Sequence, residues 1–158
     1  MITITDLFAG AGGSSTGAIQ VPGVSVRIAA NHWQLVTLRD GNVCVRCRRI
    51  GLAVSRDHRK NRSQGGLTVL SNLQLLCGDG TTGCHGWATE HPAEAIAEGW
   101  AVPGWPTADP AEWPARRWVR IGHGVVRLAW VLYDNEGGVL QVTEEEARER
   151  MTAMGWAA

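Results

Sequence analysis

Apolar and polar positions change rhythm several times along this chain. Residues 2–7 alternate and read as a short strand, and a glycine-rich turn through Gly10, Gly12 and Gly13 follows. Residues 14–19 could open a helix and residues 24–30 read as a second strand, giving the order strand, glycine loop, helix, strand. Residues 33–39 carry weak helical character. Residues 43–47 and 52–56 look like the two arms of a hairpin, 61–66 form a polar glycine-containing loop, and 73–76 are largely apolar and precede a cysteine. Residues after Cys84 could open a helix, and 93–98 are a short helix candidate. A Pro- and Trp-rich stretch, 103–114, reads as an extended linker or a wrapping arm. Two apolar runs, 125–133 and 139–142, flank a turn from Asp134 to Gly138 and predict a hairpin. Thr143 with Glu146 matches a capping box, so residues 144–154 should be helical.

The pattern predicts an α+β chain in three parts: 1–38, 39–100 and 101–158. Its 158 residues suffice for one ordinary domain or two very small ones, and no internal repeat is visible. Apolar residues make up 44% and charged residues 19%, the range of a soluble globular protein. No stretch is long and apolar enough to span a membrane, and the start lacks a signal-peptide pattern. The expectation is a cytoplasmic protein with reduced thiols, whose four cysteines point to metal more than to disulfides.

Charge changes the picture locally. The formal net charge is zero, yet seven basic residues and one acid lie between Cys44 and Arg62. Residues 86–115 hold five acids and no Lys or Arg. A cationic block of this kind suits a polyanion such as DNA, a solvated surface patch being the plainer alternative. Arg46, Arg48, Arg49, Arg59 and Arg62 are the candidates for phosphate contacts, with Arg59 and Arg62 favoured because they stand nearest His58. Nothing specifies a recognition helix.

Cys44 and Cys47 place two thiols on one tight turn, and Cys77 with Cys84 supplies a second pair across a loop containing three glycines. Four thiolates make a tetrahedral structural zinc site, and zinc would supply folding energy that a small core lacks. The alternative, a set of buried free thiols, fits poorly with the polar and basic neighbours of the first pair.

Two of the five histidines stand close to this framework: His58 follows Asp57, and His85 follows Cys84. Phosphodiester hydrolysis needs a base to activate water and a cation to stabilise charge on the phosphorane. An imidazole suits the first task, and a carboxylate with an imidazole can hold one divalent ion. Neighbours on a strand point to opposite faces, so Asp57 and His58 need irregular backbone to converge. His32, His91 and His123 read as ordinary surface or packing residues, as the tail's tryptophans read as a small core.

The ordered set Cys44, Cys47, Asp57-His58, Gly65-Gly66, Asn72-Leu73, Leu76-Cys77 and Cys84-His85 resembles the HNH endonuclease family. The run from Cys77 to Gly86 is especially similar to HNH proteins of tailed phages of actinobacteria. The resemblance covers residues 40–100. It implies a zinc-stapled ββα-metal fold, with a hairpin carrying Asp57 and His58 and a helix starting near His85. It implies His58 as general base and Asp57 and His85 as ligands of a catalytic magnesium or manganese ion. Asn72 would brace the loop behind His58. DNA would be the substrate, with phage packaging or recombination proteins as possible partners and the host cytoplasm as location. Many members carry His-His where this chain has Asp57-His58. A module that keeps zinc and binds DNA without cutting is the competing expectation.

The run from Asp6 to Gly13 resembles the first motif of cytosine-5 DNA methyltransferases, over residues 2–35 only. No Pro-Cys dipeptide for that family's nucleophile occurs, and the later motifs are absent. The carboxylate expected after the second strand is replaced by Asn31-His32. The reading is a truncated Rossmann-like strand-helix-strand fragment, with no cofactor binding expected.

Overall fold

The structure is a computed structural model, which describes residues 16–21, 24–29, 31–49 and 52–157. Strands β1 (Thr16–Val21) and β2 (Val24–Ala29) pair antiparallel, with Val21 opposite Val24. The helix expected over 14–19 is therefore a strand for most of its length. Strand β1 ends in β-branched Ile19 and Val21 on either side of Gln20, and a Pro-Gly dipeptide, a strong turn signal, separates it from β2. Among the described residues of 1–38, a strand stands where the helix between the two strands was expected. The strand over 2–7 and the glycine turn lie outside the described residues.

Helix α1 (His32–Asp40) begins with a full capping box on Asn31 and Gln34 and ends at Gly41 in the left-handed conformation. Its buried Val36 packs with Leu70, Leu73 and Leu75. Strand β3 (Val54–His58) pairs antiparallel with β4 (Leu73–Cys77), from Val54 opposite Cys77 to His58 opposite Leu73. This corrects the expected hairpin of 43–47 with 52–56. Residues 45–47 form a turn that carries Cys44 and Cys47, and the largely apolar run 73–77, buried at every position, is the true partner. A strand buried on both faces needs no alternation, which is why that run gave no period-2 signal.

Helix α2 (Gly83–Glu90) follows β4, so strand, strand and helix succeed one another around the cysteines. Helix α3 (Pro92–Ala97) comes next, then an irregular arm, then a sheet of β5 (Ala115–Arg120), β6 (Val126–Tyr133) and β7 (Val139–Val142) in that order. The β6–β7 hairpin falls where it was expected; β5 was not. Helix α4 (Glu144–Ala153) closes the chain, with the Thr143–Glu146 capping box formed.

The arm over 103–114 wraps rather than links. Trp113 is fully buried and packs with Val102, Ala108, Trp130, Ala147 and Met151. Trp105, Trp113 and Trp156 meet one another at centroid distances of 6.1–6.4 Å, so these indoles make a core. Leu128 packs against the cysteine cluster and Trp100, so packing also crosses position 100. No helix among the described residues is long and apolar enough to cross a membrane.

Candidate functional site: a thiol cluster and an adjoining carboxylate–imidazole pair

The sulfurs of Cys44, Cys47, Cys77 and Cys84 all lie within 4.8 Å of one another and could hold a metal ion. Cys47 and Cys77 stand 3.6 Å apart at Sγ. Tetrahedral bonds of about 2.3 Å would set sulfurs about 3.8 Å apart, so the spacing fits one ion of that geometry. Backbone brings the pairs together. Gly78 and Gly83 both have positive φ, and a Cβ on Gly83 would overlap the Cys77 carbonyl, so the loop between the second pair closes only with glycine there.

Burial pushes the Cys44 and Cys84 thiols above the ordinary thiol range, the Arg46 guanidinium opposing this at Cys84. Burial also acts on Cys47, but hydrogen bonds from the Arg49 backbone and the neighbouring thiols leave its thiol below that range. Four adjacent thiolates need a cation among them. Arg46 supplies part of that charge: its guanidinium lies 3.8 Å from Cys84 Sγ and stacks 3.7 Å from the Trp87 ring centroid.

Beside the cluster, His85 Nε2 lies 3.4 Å from Asp57 Oδ1. His85 is in the first turn of α2, directly after Cys84, and Asp57 is on β3. Gln74, opposite Asp57 on β4 and fully buried, donates to Asp57 Oδ2 at 2.7 Å and to the Trp100 carbonyl at 2.6 Å. Burial pushes the Asp57 carboxyl up from its ordinary value, while Gln74, His85 and Arg59 pull it back. Two ligand atoms about 2.1 Å from one ion stand about 3.0 Å apart at 90° and about 3.4 Å at 110°; the observed 3.4 Å is also that of a direct carboxylate–imidazole ion pair.

His58 does not join this pair. It is the next residue on a regular strand, and its Nε2 bonds Thr68 Oγ1 at 2.9 Å while its ring meets Trp33 edge-on at 5.4 Å. Burial, with the positive charge of Arg62, holds its imidazole below the ordinary value. The thiol cluster is the only set of three or more metal-ligating groups among the described residues.

Asn72 is fully buried and spans the loop that follows His58. Its Oδ1 accepts from the Lys60 amide at 2.7 Å, and its Nδ2 donates to the Lys60 and Leu67 carbonyls at 3.1 and 2.9 Å. The Arg59 amide also donates to the Asn72 carbonyl at 2.8 Å. Gly66 lies against the Lys60 carbonyl, where a Cβ would overlap it.

Arg59 leaves the phosphate-contact set. It is 2% exposed, and its guanidinium donates to the carbonyls of Ser71, Pro110, Trp113 and Pro114 at 2.8–3.0 Å. Burial lowers its pKa to about 10, so it remains charged at neutral pH. Lys60 is likewise buried, donating to the Trp105 and Ala108 carbonyls. A basic run says nothing of which members point inward, and these two anchor the arm. Arg48, Arg49 and Arg62 are exposed, and Arg46 is half-buried. Reading the sequence as one basic block also missed Arg120 and Arg127, exposed on β5 and β6, whose hairpin carries no acid. The Trp118 indole donates to the Arg46 carbonyl and ties that hairpin to the cysteine turn.

No protein-family model, curated protein or solved structure matches this chain.

Proposed function

We propose that the chain is a metal-dependent DNA endonuclease of the HNH type, with zinc on the four cysteines as a structural staple. One observation carries the reading: Asp57 and His85 meet at ligand spacing, His85 directly following Cys84 of the thiol cluster and Asp57 on the strand paired with the one that ends at Cys77. Under this reading β3, β4 and α2 are the ββα-metal unit. Asp57 and His85 would hold a magnesium or manganese ion, which when bound supplies charge for the phosphorane and leaving oxygen.

The chain's own residues do the rest. Gln74 keeps Asp57 Oδ2 engaged, so that Oδ1 faces His85. Asn72 stiffens residues 60–67 behind His58. His58, with its depressed pKa, would be neutral at physiological pH and able to take a proton from water. Arg48, Arg49, Arg62, Arg120 and Arg127 would hold the DNA backbone, contacts that position without reading sequence.

The placement of His58 favours a second reading, a noncatalytic zinc-stabilised DNA-binding module. Its Nε2 is engaged by Thr68, and its ring forms no metal-ligating set of three with Asp57 and His85 among the described residues. Plasmid nicking with magnesium or manganese separates the two. The endonuclease reading expects wild type to nick and His58→Ala to fall by orders of magnitude. Equal cleavage by both proteins sinks it; salt-sensitive binding without cleavage establishes the binding module.

A further inference from the structure

Ser55 carries no motif and has no obvious role in the sequence. It stands two positions before Asp57 on β3, so both side chains leave the same face of the strand. Its hydroxyl oxygen lies between two groups. It donates to the Gly78 carbonyl and stands 3.2 Å from His85 Nδ1. A hydroxyl has one proton to give. With that proton on the Gly78 carbonyl, Ser55 Oγ offers only lone pairs to the imidazole. The ring nitrogen facing it must then be the protonated one, Nδ1–H donating to Ser55 Oγ.

The consequence falls on the other nitrogen. In a neutral ring protonated at Nδ1, Nε2 carries a lone pair, and it faces Asp57 Oδ1 at 3.4 Å. Two acceptors left facing each other invite a cation between them. The opposite tautomer would close the gap with an ordinary Nε2–H bond to the carboxylate. We propose that Ser55 is a positioning residue: with the Gly78 carbonyl behind it, its hydroxyl holds His85 in the Nδ1–H tautomer and presents Nε2 and Asp57 Oδ1 together as an open ligand pair.

The anchor of this relay is well placed. Gly78 directly follows Cys77, its amide donates to the Ala53 carbonyl at 3.1 Å, and its φ of +83° is one that favours glycine. A Cβ there would overlap the Thr82 carbonyl. The carbonyl that takes the Ser55 proton is therefore oriented by the same loop that brings Cys84 to Cys77. Metal-binding histidines commonly give their second N–H to an oriented acceptor, and removing that acceptor typically costs about 10–100-fold in metal affinity.

The identity of the bound ion rests on the endonuclease reading; the tautomer does not. The test is long-range proton–nitrogen NMR of the full chain, as purified and without added divalent ion. Histidine is ¹⁵N-labelled, and spectra are taken at about pH 8, well above the ordinary imidazole pKa. Wild-type His85 is expected in the Nδ1–H form. Ser55→Ala should move it toward Nε2–H, and Ser55→Thr, which keeps a hydroxyl, should leave it as in wild type. A manganese titration of the same samples should show Ser55→Ala weakened roughly 10–100-fold and Ser55→Thr close to wild type. Finding wild-type His85 as Nε2–H overturns the proposal and needs no variant to fold. An unchanged tautomer in Ser55→Ala also overturns it. The expected tautomers with no manganese bound would uphold the role of Ser55 and overturn the metal reading instead.

Discussion

Replacing Arg59 with Met keeps most of the aliphatic length and removes the guanidinium. Four charge-assisted hydrogen bonds disappear, to the carbonyls of Ser71, Pro110, Trp113 and Pro114. At roughly 1.5–3 kcal/mol each, the gross loss is on the order of 6–12 kcal/mol. The guanidinium is 2% exposed, so its desolvation cost, several kcal/mol, vanishes with it. The net effect should be about 3–5 kcal/mol of destabilisation, the gross loss less the recovered desolvation, because four buried carbonyls are left without their donor. For a chain of this size that is a fall of roughly 6–20 °C in Tm. Arg62→Met is the control, because Arg62 is exposed and adjoins the same loop. Thermal and urea unfolding followed by tryptophan fluorescence reads both, with Trp105 and Trp113 as reporters of the arm. Arg59→Met melting together with Arg62→Met would refute the buried anchor. So would an unchanged melt with weakened DNA binding, which is how a phosphate contact would behave.

The other predictions address separate parts of the molecule. Cys84→Ser, or chelation of wild type, should remove about one equivalent of zinc and unfold the region around it; a chelated protein with an unaltered melt contradicts the staple. Asn72→Ala should cost about 3 kcal/mol, from three buried hydrogen bonds at roughly 1 kcal/mol each, read by urea unfolding. The depressed pKa of His58 has two consequences of one sign. A base that stays neutral below the ordinary imidazole value of about 6.5 should place the acid limb of the kcat/KM profile below that pH. Because the unfolded chain takes up that proton first, His58's contribution to stability is present above about pH 6.5 and lost as pH falls through the lower folded value. His58→Gln should flatten that limb of the stability–pH curve. Alanine at Arg48, Arg49, Arg120 or Arg127 should each reduce the slope of log K against log salt by about 1, whereas a role as plain solvated residues leaves the slope unchanged.

Much of this architecture was legible because local chemistry and global fold agree at particular residues. Thr143 and Glu146 specify a helix start on their own, and α4 begins there. The spacing of the cysteines predicted a cluster, and the sulfurs do converge. Asn72, singled out in the sequence, makes three hydrogen bonds to the backbone of Lys60 and Leu67. What was not legible depended on direction and pairing. The partner of β3 is a largely apolar run, buried at every position including Gln74, that carries no strand periodicity. Arg59 and Arg62 look alike in sequence, yet one points into the arm and the other into water. Strand geometry warned that Asp57 and His58 would diverge, and the ladder keeps its register through His58. Ser55 matters only because two distant segments, Gly78 and His85, fold onto it.

Under the endonuclease reading proposed above, Asp57 and His85 hold the ion on which cleavage depends. This is tested most directly by supercoiled-plasmid nicking with protein depleted of loosely bound divalent ions and then titrated with manganese. Wild type is expected to nick only after manganese is added. Asp57→Asn and His85→Ala are expected to stay inactive throughout the titration while keeping their zinc. Nicking by wild type without a divalent ion, or by either variant at the wild-type rate, would contradict the account.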